Sequence, residues 1–237
     1  MRLDDEEFVR GQYRSPGRLE TRISVWQPGP DGRTPQGVAL SLLADAAPAR
    51  LLEVGCGTGA LAARCAAELG CDVVALDASA EMVRATRARG VQAMVGDVQE
   101  LPFADGEFDC AVAAWMLYHV PDLDHGVAEL ARVLRPGGRL VAITNGRDSL
   151  GELYGLVGGT RRDSSFSSEN GGEVLGRRFA RVERHDVDVR AVFADRDAAA
   201  AYLETLERGD LAARLPRDMG RLVARGAVTV FAAVTPG

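Results

Sequence analysis

Lysine is missing from all 237 residues, so every one of the 28 basic side chains is arginine. That excludes a P-loop, which needs its lysine on the phosphates, and any Schiff-base mechanism. The bias itself reads as a coding preference. Cysteine is sparse: Cys56, Cys65, Cys71 and Cys110 form no Cys-x-x-Cys, so neither a zinc knuckle nor a disulfide scaffold is expected. The three histidines include His125 and His185, which have no companions at metal-ligand spacing, and no metal is expected. No apolar run approaches the about 20 residues of a membrane span, and the first residues are acidic rather than leader-like. A reduced, cytoplasmic protein without membrane association is the expectation, as a monomer or homodimer.

Positive charge is also scarce. Acids outnumber bases by 34 to 28, for a net charge of −6, with no dense basic run. Nucleic-acid binding rests on cations that neutralise phosphates, so that role is disfavoured. Arg161-Arg162 and Arg177-Arg178 read as solvated pairs, although such pairs could attract an acidic small molecule. No Ser-His-Asp ordering or nucleophile elbow is present.

What the chain does have is glycine at a telling place. Residues 51–59 read Leu-Leu-Glu-Val-Gly-Cys-Gly-Thr-Gly, and Asp77 closes the next apolar run. A strand that ends in close glycines and opens into a helix brings bare backbone against a ligand. An acid at the tip of the following strand suits the two hydroxyls of a ribose. Glycines at 55, 57 and 59, with Ala60 next, depart from the Gly-x-Gly-x-x-Gly of a dinucleotide site. Glu53, two residues before the first glycine, would repel a diphosphate. S-adenosylmethionine instead presents an ammonium and a sulfonium there.

Strand and helix signals alternate along the chain. Thr34-Pro35 caps a helix to about Ala46. Strands are expected at 50–54, 72–76, 91–95, 110–115 and 139–144, with helices at 60–69 and from Ser79 to Arg89. Apolar residues at 127, 130, 131 and 134 share one helical face, and Pro136-Gly137-Gly138 is a turn signal. A short helix over 19–26, another over 149–157, a strand over 182–189, a helix over 197–206 and a last strand over 228–234 complete the reading. Residues 158–172 show no periodicity. This alternation means an α/β, doubly wound, mostly parallel sheet with right-handed crossovers and helices on both faces. One domain spans residues 1–237, with a cofactor-binding core at 49–145. A small cap is expected from 1–33 and from a variable substrate region at 150–220.

The segment from Ala49 to Thr144 resembles the class I S-adenosylmethionine-dependent methyltransferases, in particular their small-molecule group. Five stretches carry the resemblance in order: Glu53 to Gly59, Asp77-Ala-Ser-Ala-Glu-Met82, Val95-Gly-Asp97-Val98, Leu101-Pro-Phe103 through Phe108-Asp109, and Leu134-Arg-Pro-Gly-Gly-Arg139. The resemblance implies a seven-stranded sheet in the order 3-2-1-4-5-7-6, one strand antiparallel. It also implies cofactor roles. Gly55, Cys56 and Gly57, with Gly59 closing the motif, would lie against the methionine moiety, with Glu53 near its ammonium. Asp77, followed by Ala78, would take the ribose, and Met82 would pack on adenine or merely in the core. The loop of Gly96, Asp97 and Val98 would hold adenine, Asp97 serving otherwise as a turn cap. Ala114 and Trp115 would face the crevice at their strand's carboxyl end. Tyr13 and Arg14 lie in the segment that similar enzymes fold over the cofactor.

The implied reaction is transfer of a methyl group to a small-molecule acceptor at O, N or C, leaving S-adenosylhomocysteine. Alignment of the two reactants can lower the barrier by several kcal/mol, on the order of 7–11 at best. His119 is the candidate base, and a structural role for it is equally compatible with the sequence. Glu169-Asn170-Gly171 reads as a turn that could face substrate. Few aromatics in the cap region argue against a large planar acceptor. Two alternatives stay open: a protein that binds S-adenosylmethionine without transferring its methyl, and a nicotinamide-dependent oxidoreductase, which the glycine spacing and Glu53 oppose.

Overall fold

The computed structural model describes residues 3–4, 16–160 and 164–237. Tyr13, Arg14 and the Arg161-Arg162 pair lie outside the described residues. In chain order the elements are α1 (Pro16–Ser24), β1 (Trp26–Pro28), α2 (Pro35–Ala44), β2 (Arg50–Val54), α3 (Ala60–Leu69), β3 (Asp72–Asp77), α4 (Ala80–Arg87) and β4 (Gln92–Val95). There follow β5 (Phe108–Ala114), a 3-10 turn over Leu117–His119, α5 (Leu123–Val133), β6 (Leu134–Asn145), α6 (Gly151–Leu156), α7 (Gly171–Gly176), β7 (Arg181–Phe193), α8 (Arg196–Thr205), α9 (Gly209–Ala212) and β8 (Leu222–Val234).

All eight strands form one sheet, in the order β4-β3-β2-β5-β6-β8-β7-β1. β2 to β6 pair in parallel, and β8 runs antiparallel to both β6 and β7. Seven strands therefore follow the expected 3-2-1-4-5-7-6 order. The eighth, β1, adds antiparallel to the β7 edge through Trp26, Gln27 and Pro28, where a helix was expected to run on to Trp26. Its three residues are too few to carry a period-2 signal, and Pro28 is tolerated only because the strand is at an edge.

Helices cover both faces, so the central strands are apolar on both sides. Leu52, Val54, Val74, Leu76, Ala111 and Leu140 face α5 and α7, together with Phe108, Phe166 and Phe231. Leu51, Val73, Ala75, Val112, Val141 and Ile143 face α2 and α3. Local signals set the helix starts. Thr34 accepts the Gly37 amide at 3.1 Å, Ser79 that of Met82 at 3.4 Å and Asp195 that of Ala198 at 2.9 Å. Gly70, at φ 65°, ends α3.

Three differences from the sequence reading have physical causes. Leu134 begins a strand rather than ending a helix, and Pro136-Gly137-Gly138 is a bulge inside β6, where the register against β5 shifts between Phe108 and Cys110. The C-terminal tail holds that bulge. Gly137 donates to the Pro236 carbonyl at 3.1 Å, and the Thr235 hydroxyl donates to the Arg135 carbonyl at 2.8 Å. Residues 158–172, which gave no periodicity, lead into the short α7, packed on Phe231. Finally, β7 and β8 are longer than expected. Residues 222–227 pair with 188–193 beyond the end of β6, so the hairpin projects past the main sheet.

That projection supports a third apolar cluster. Leu153 and Tyr154 of α6, Ala199, Tyr202 and Leu203 of α8, and Leu211 of α9 pack on Ala191, Phe193 and Ala224. α1 docks onto the carboxyl end of α8: Arg18 donates to the Glu204 carbonyl at 3.0 Å and Arg22 to the Thr205 carbonyl at 2.7 Å. Arginine at the last carbonyls of a helix meets both an orphan acceptor and the negative end of its dipole. Among the described residues no helix is long and apolar enough to cross a membrane.

Candidate functional site

The parallel strands end on a cavity of about 970 Å³, placed where the strand order reverses between β2 and β5. A crevice at that point is the usual ligand site of a doubly wound sheet. Its volume sits at the upper end of the range of about 300–1,000 Å³ for ligand pockets.

The glycine turn forms one wall. Gly55, Gly57 and Gly59 have φ of 67°, 55° and 74°, which only glycine adopts without strain. Their amides are used inside the protein. Gly55 and Cys56 donate to the Leu76 carbonyl at 2.7 and 3.1 Å, and Gly59 donates to the Cys56 carbonyl at 2.9 Å. Gly57 donates to Asp77 Oδ2 at 2.8 Å, and Asp77 Oδ1 accepts the Ser79 amide at 2.9 Å. A turn whose amides are committed in this way is a poor receptor for a diphosphate, which would need them. Burial raises the Asp77 carboxyl above the ordinary range against the lowering effect of those two amides.

Glu53 sits beneath the turn, 3% exposed, and its Oε2 has no hydrogen-bond partner. Burial pushes its pKa up to about 8; the Ala62 amide in the first turn of α3 opposes this and the Asp77 charge adds to it. An orphaned buried carboxylate oxygen on a cavity wall is costly unless a cation completes it. The Cys56 thiol, against Thr86 Oγ1 at 3.4 Å, is pushed up to about 12 by burial and stays a thiol.

Glu53, Gly55, Cys56, Gly57, Asp77, Ala78, Gly96, Asp97, Val98, Ala114, Trp115 and His119 all line this one cavity. Asp97 is also a turn cap, accepting the Gln99 amide at 2.8 Å. Two expected residues stand back from the wall. Met82 is wholly buried behind it. Gly59 is a packing glycine, since a Cβ there would lie 2.6 Å from Thr86 Oγ1. Glu169-Asn170-Gly171 does not reach the cavity; Asn170 closes a turn by accepting the Ser167 amide at 2.7 Å.

The His119 ring is held through Nδ1, 2.7 Å from the Leu3 carbonyl, which fixes the tautomer with the proton on Nδ1. Burial lowers its pKa to about 4 despite that bond, so the ring is neutral at ordinary pH. Trp115 has φ of 54°, a strained conformation for a bulky residue at a strand end, and its Nε1 donates to Asn145 Oδ1 at 3.3 Å.

Several wall residues were not visible in the sequence. Trp26 of β1, Asn145 of β6, Tyr154 of α6 and Tyr202 of α8 come from four elements spread over residues 26–202 and meet on the cavity wall. Both tryptophans and all three described tyrosines, Tyr118, Tyr154 and Tyr202, line the cavity. The few aromatics of the cap region thus include Trp26, Tyr154 and Tyr202 on the cavity wall. Aromatics are few in the chain, and the fold gathers them here.

Comparisons with known proteins point to methyltransferases. Residues 52–142 match a family described as a methyltransferase domain. An uncharacterized methyltransferase of Mycobacterium bovis is 38% identical over 159 residues, covering 63% of this chain and 61% of that protein. A demethylmenaquinone methyltransferase of Mycolicibacterium vanbaalenii is 42% identical over 92 residues, 39% of this chain and 40% of that protein. The chain thus spans about three-fifths of the first of these relatives and less of the second. Among solved structures, a Haemonchus contortus phosphoethanolamine N-methyltransferase in complex with S-adenosylhomocysteine superposes with a TM-score of 0.62 at 17% identity, over 100% of this chain and 61% of that one. Likeness at that identity speaks to the fold alone.

Proposed function

We propose, from the match of residues 52–142 to the methyltransferase domain family, that this chain moves a methyl group from S-adenosylmethionine to a small-molecule acceptor by in-line displacement. The observation that carries the reading is electrostatic. A buried, unpartnered Glu53 oxygen lies beside a glycine turn whose own amides are spent. That arrangement suits a cationic amino-acid moiety and not a diphosphate.

The residues present fit the cofactor. Glu53 would receive its ammonium, Asp77 its ribose hydroxyls, and Asp97 with the Val98 amide its adenine, with Gly96 and Ala78 framing the same wall. When bound, its sulfonium supplies an already electrophilic methyl, so the protein needs no covalent intermediate. The chain's own task is to orient the acceptor and exclude water. α1 serves the second purpose, since Leu19 lies close over Gly57; a Cβ on that glycine would be 3.0 Å from Leu19 Cδ2. We read α1, α6, α8 and α9 as the cap over the acceptor, and His119 as the neutral, oriented group available to an acceptor's departing proton.

The test is direct. Calorimetry should show S-adenosylhomocysteine binding at micromolar or tighter affinity and NAD not at all. Labelled S-adenosylmethionine should then pass its methyl to a small molecule. Binding of NAD in place of S-adenosylhomocysteine would overturn the reading.

A further inference from the structure

We propose that the half of the cavity beyond the cofactor wall is a box for a planar aromatic ring bearing oxygen, and that such a ring is the methyl acceptor. This rests on the function proposed above and adds the chemical class of the acceptor.

Sheet order separates the two halves. Glu53 and Asp77 lie at the carboxyl ends of β2 and β3, and Asp97 just after β4, on one side of the crevice. Trp26, Asn145, Val189 and Val228 come from β1, β6, β7 and β8, on the other. The pairings Trp26 with Ala191, Val189 with Gly226 and Asn145 with Val228 place these residues on one face of the sheet. That face is the floor of the second half. Tyr154 and Tyr202, 8% and 4% exposed, close it from α6 and α8.

The floor is built for a flat ring. Trp26 lies across β7 onto β8, so close to Gly226 that a Cβ there would fall 2.3 Å from indole Cζ3. Gly226 has no unusual backbone to explain a glycine; it is the absence of a side chain that lets the indole settle on the sheet. Trp115 is held by Asn145 Oδ1. With that oxygen engaged, the group Asn145 can offer a ligand is its NH2, a donor suited to a ring oxygen. Aromatic walls around an aromatic ligand add stacking or edge contacts to the area buried.

Charge selects against amines. Every carboxylate on the cavity wall among the described residues, Glu53, Asp77, Glu81 and Asp97, belongs to the cofactor half. The other half carries Arg22 and Arg208 instead. A cationic amine would be desolvated there with no partner, whereas a phenol or quinol would not. In the transfer an O–CH3 bond forms as the S–CH3 bond breaks, the electron pair stays on sulfur to leave S-adenosylhomocysteine, and the phenolic proton passes to the neutral His119 ring on the same cavity wall.

The experiment uses the full chain saturated with S-adenosylhomocysteine, titrated with three probes: 2-naphthol, its saturated analogue decahydro-2-naphthol, and cationic 2-(aminomethyl)naphthalene. Naphthol is expected to bind at least about 10-fold more tightly than either other probe by calorimetry. It should also shift both indole N–H resonances, assigned with Trp26→Phe. Trp26→Leu should lose that affinity while retaining S-adenosylhomocysteine, which shows that the variant is folded. Equal affinity for the saturated or cationic probe, or unmoved indole signals, would overturn the aromatic box alone. Failure of S-adenosylhomocysteine itself to bind would overturn the parent function, and this inference with it.

Discussion

The carboxylate of Asp77 holds the amide of Gly57 at 2.8 Å, tying the tip of β3 to the turn that follows β2. The acid that would grip the ribose is thus the same group that sets the shape of the glycine turn. Removing it takes away ligand contacts and turn geometry together. Hydrogen bonds to charged groups contribute about 1.5–3 kcal/mol each. Asp77→Ala should therefore weaken S-adenosylhomocysteine by at least about 100-fold in calorimetry, with an unchanged circular-dichroism spectrum. Unaltered affinity would defeat the assignment of the ribose partner.

Glu53 makes a second prediction, through protons. Its pKa is about 8 in the folded protein against an ordinary 4.5, because of burial. Between those values the folded state holds a proton that the unfolded state has lost. Below about pH 6.5 the opposite contribution of His119 offsets this, so stability of the ligand-free protein should fall as pH rises from about 6.5 to 8, at up to about 1.4 kcal/mol per pH unit from Glu53. Glu53→Gln should flatten that slope in denaturant titrations. An arriving ammonium favours the ionised carboxylate, so binding of S-adenosylhomocysteine near pH 7 should release a proton. Calorimetry in two buffers of different ionisation enthalpy reads that release, and Glu53→Gln should abolish it. A wild-type stability that rises over this window would count against the protonated carboxyl.

For His119 the sign is opposite. Its folded pKa, lowered by burial to about 4, lies below the ordinary 6.5. The unfolded state binds the extra proton between those values, so this residue costs stability as pH falls from about 6.5 to 4. The ring is already neutral through the working range, and the wild-type rate profile should show no inflection near 6.5. His119→Ala should slow transfer about 100-fold, the lower end for general bases, because proton transfer to so weak a base has little driving force. Affinity for S-adenosylhomocysteine should be spared. Wild-type turnover in the variant would make the histidine architectural.

The cavity wall carrying Glu53 and Asp77, proposed to hold the cofactor, was legible because it is local. Glu53, the three glycines and Asp77 fall within 25 consecutive residues, and each is dictated by strand-turn-helix geometry that leaves a mark in the sequence. Strand β2 and helix α3 accordingly fall on the residues expected, 50–54 and 60–69. The Met82 position was ambiguous for the same reason that it is buried: a core methionine and a ring-packing one share a helical spacing.

The opposite wall, with Trp26, was illegible because it is assembled at long range. Trp26 meets Gly226 across 200 residues of chain, through pairings on the edge of a hairpin whose length no turn signal announces. Few aromatics in the cap region argued against a large planar acceptor, yet composition says nothing about convergence. The Pro136-Gly137-Gly138 bulge misled in a related way. Its residues specify a bend, but the tail at Thr235 and Pro236 decides that the bend stays within the sheet.

Gly226 offers the sharpest test of that long-range assembly. The position is buried, and its nearest neighbours are the Trp26 indole and Val189 Cγ2, which a new Cβ would approach to 2.3 and 2.5 Å. β8 has pairing partners on β7 here, so its backbone cannot move aside without breaking the ladder. The indole is the part free to yield. Gly226→Ala should cost about 1–3 kcal/mol of stability, the usual range for overpacking. It should also tilt Trp26 off the floor, raising KM for an aromatic acceptor several-fold while kcat and S-adenosylhomocysteine affinity change little. A variant that loses stability and keeps the wild-type KM would show that the indole packs the sheet without shaping the acceptor site.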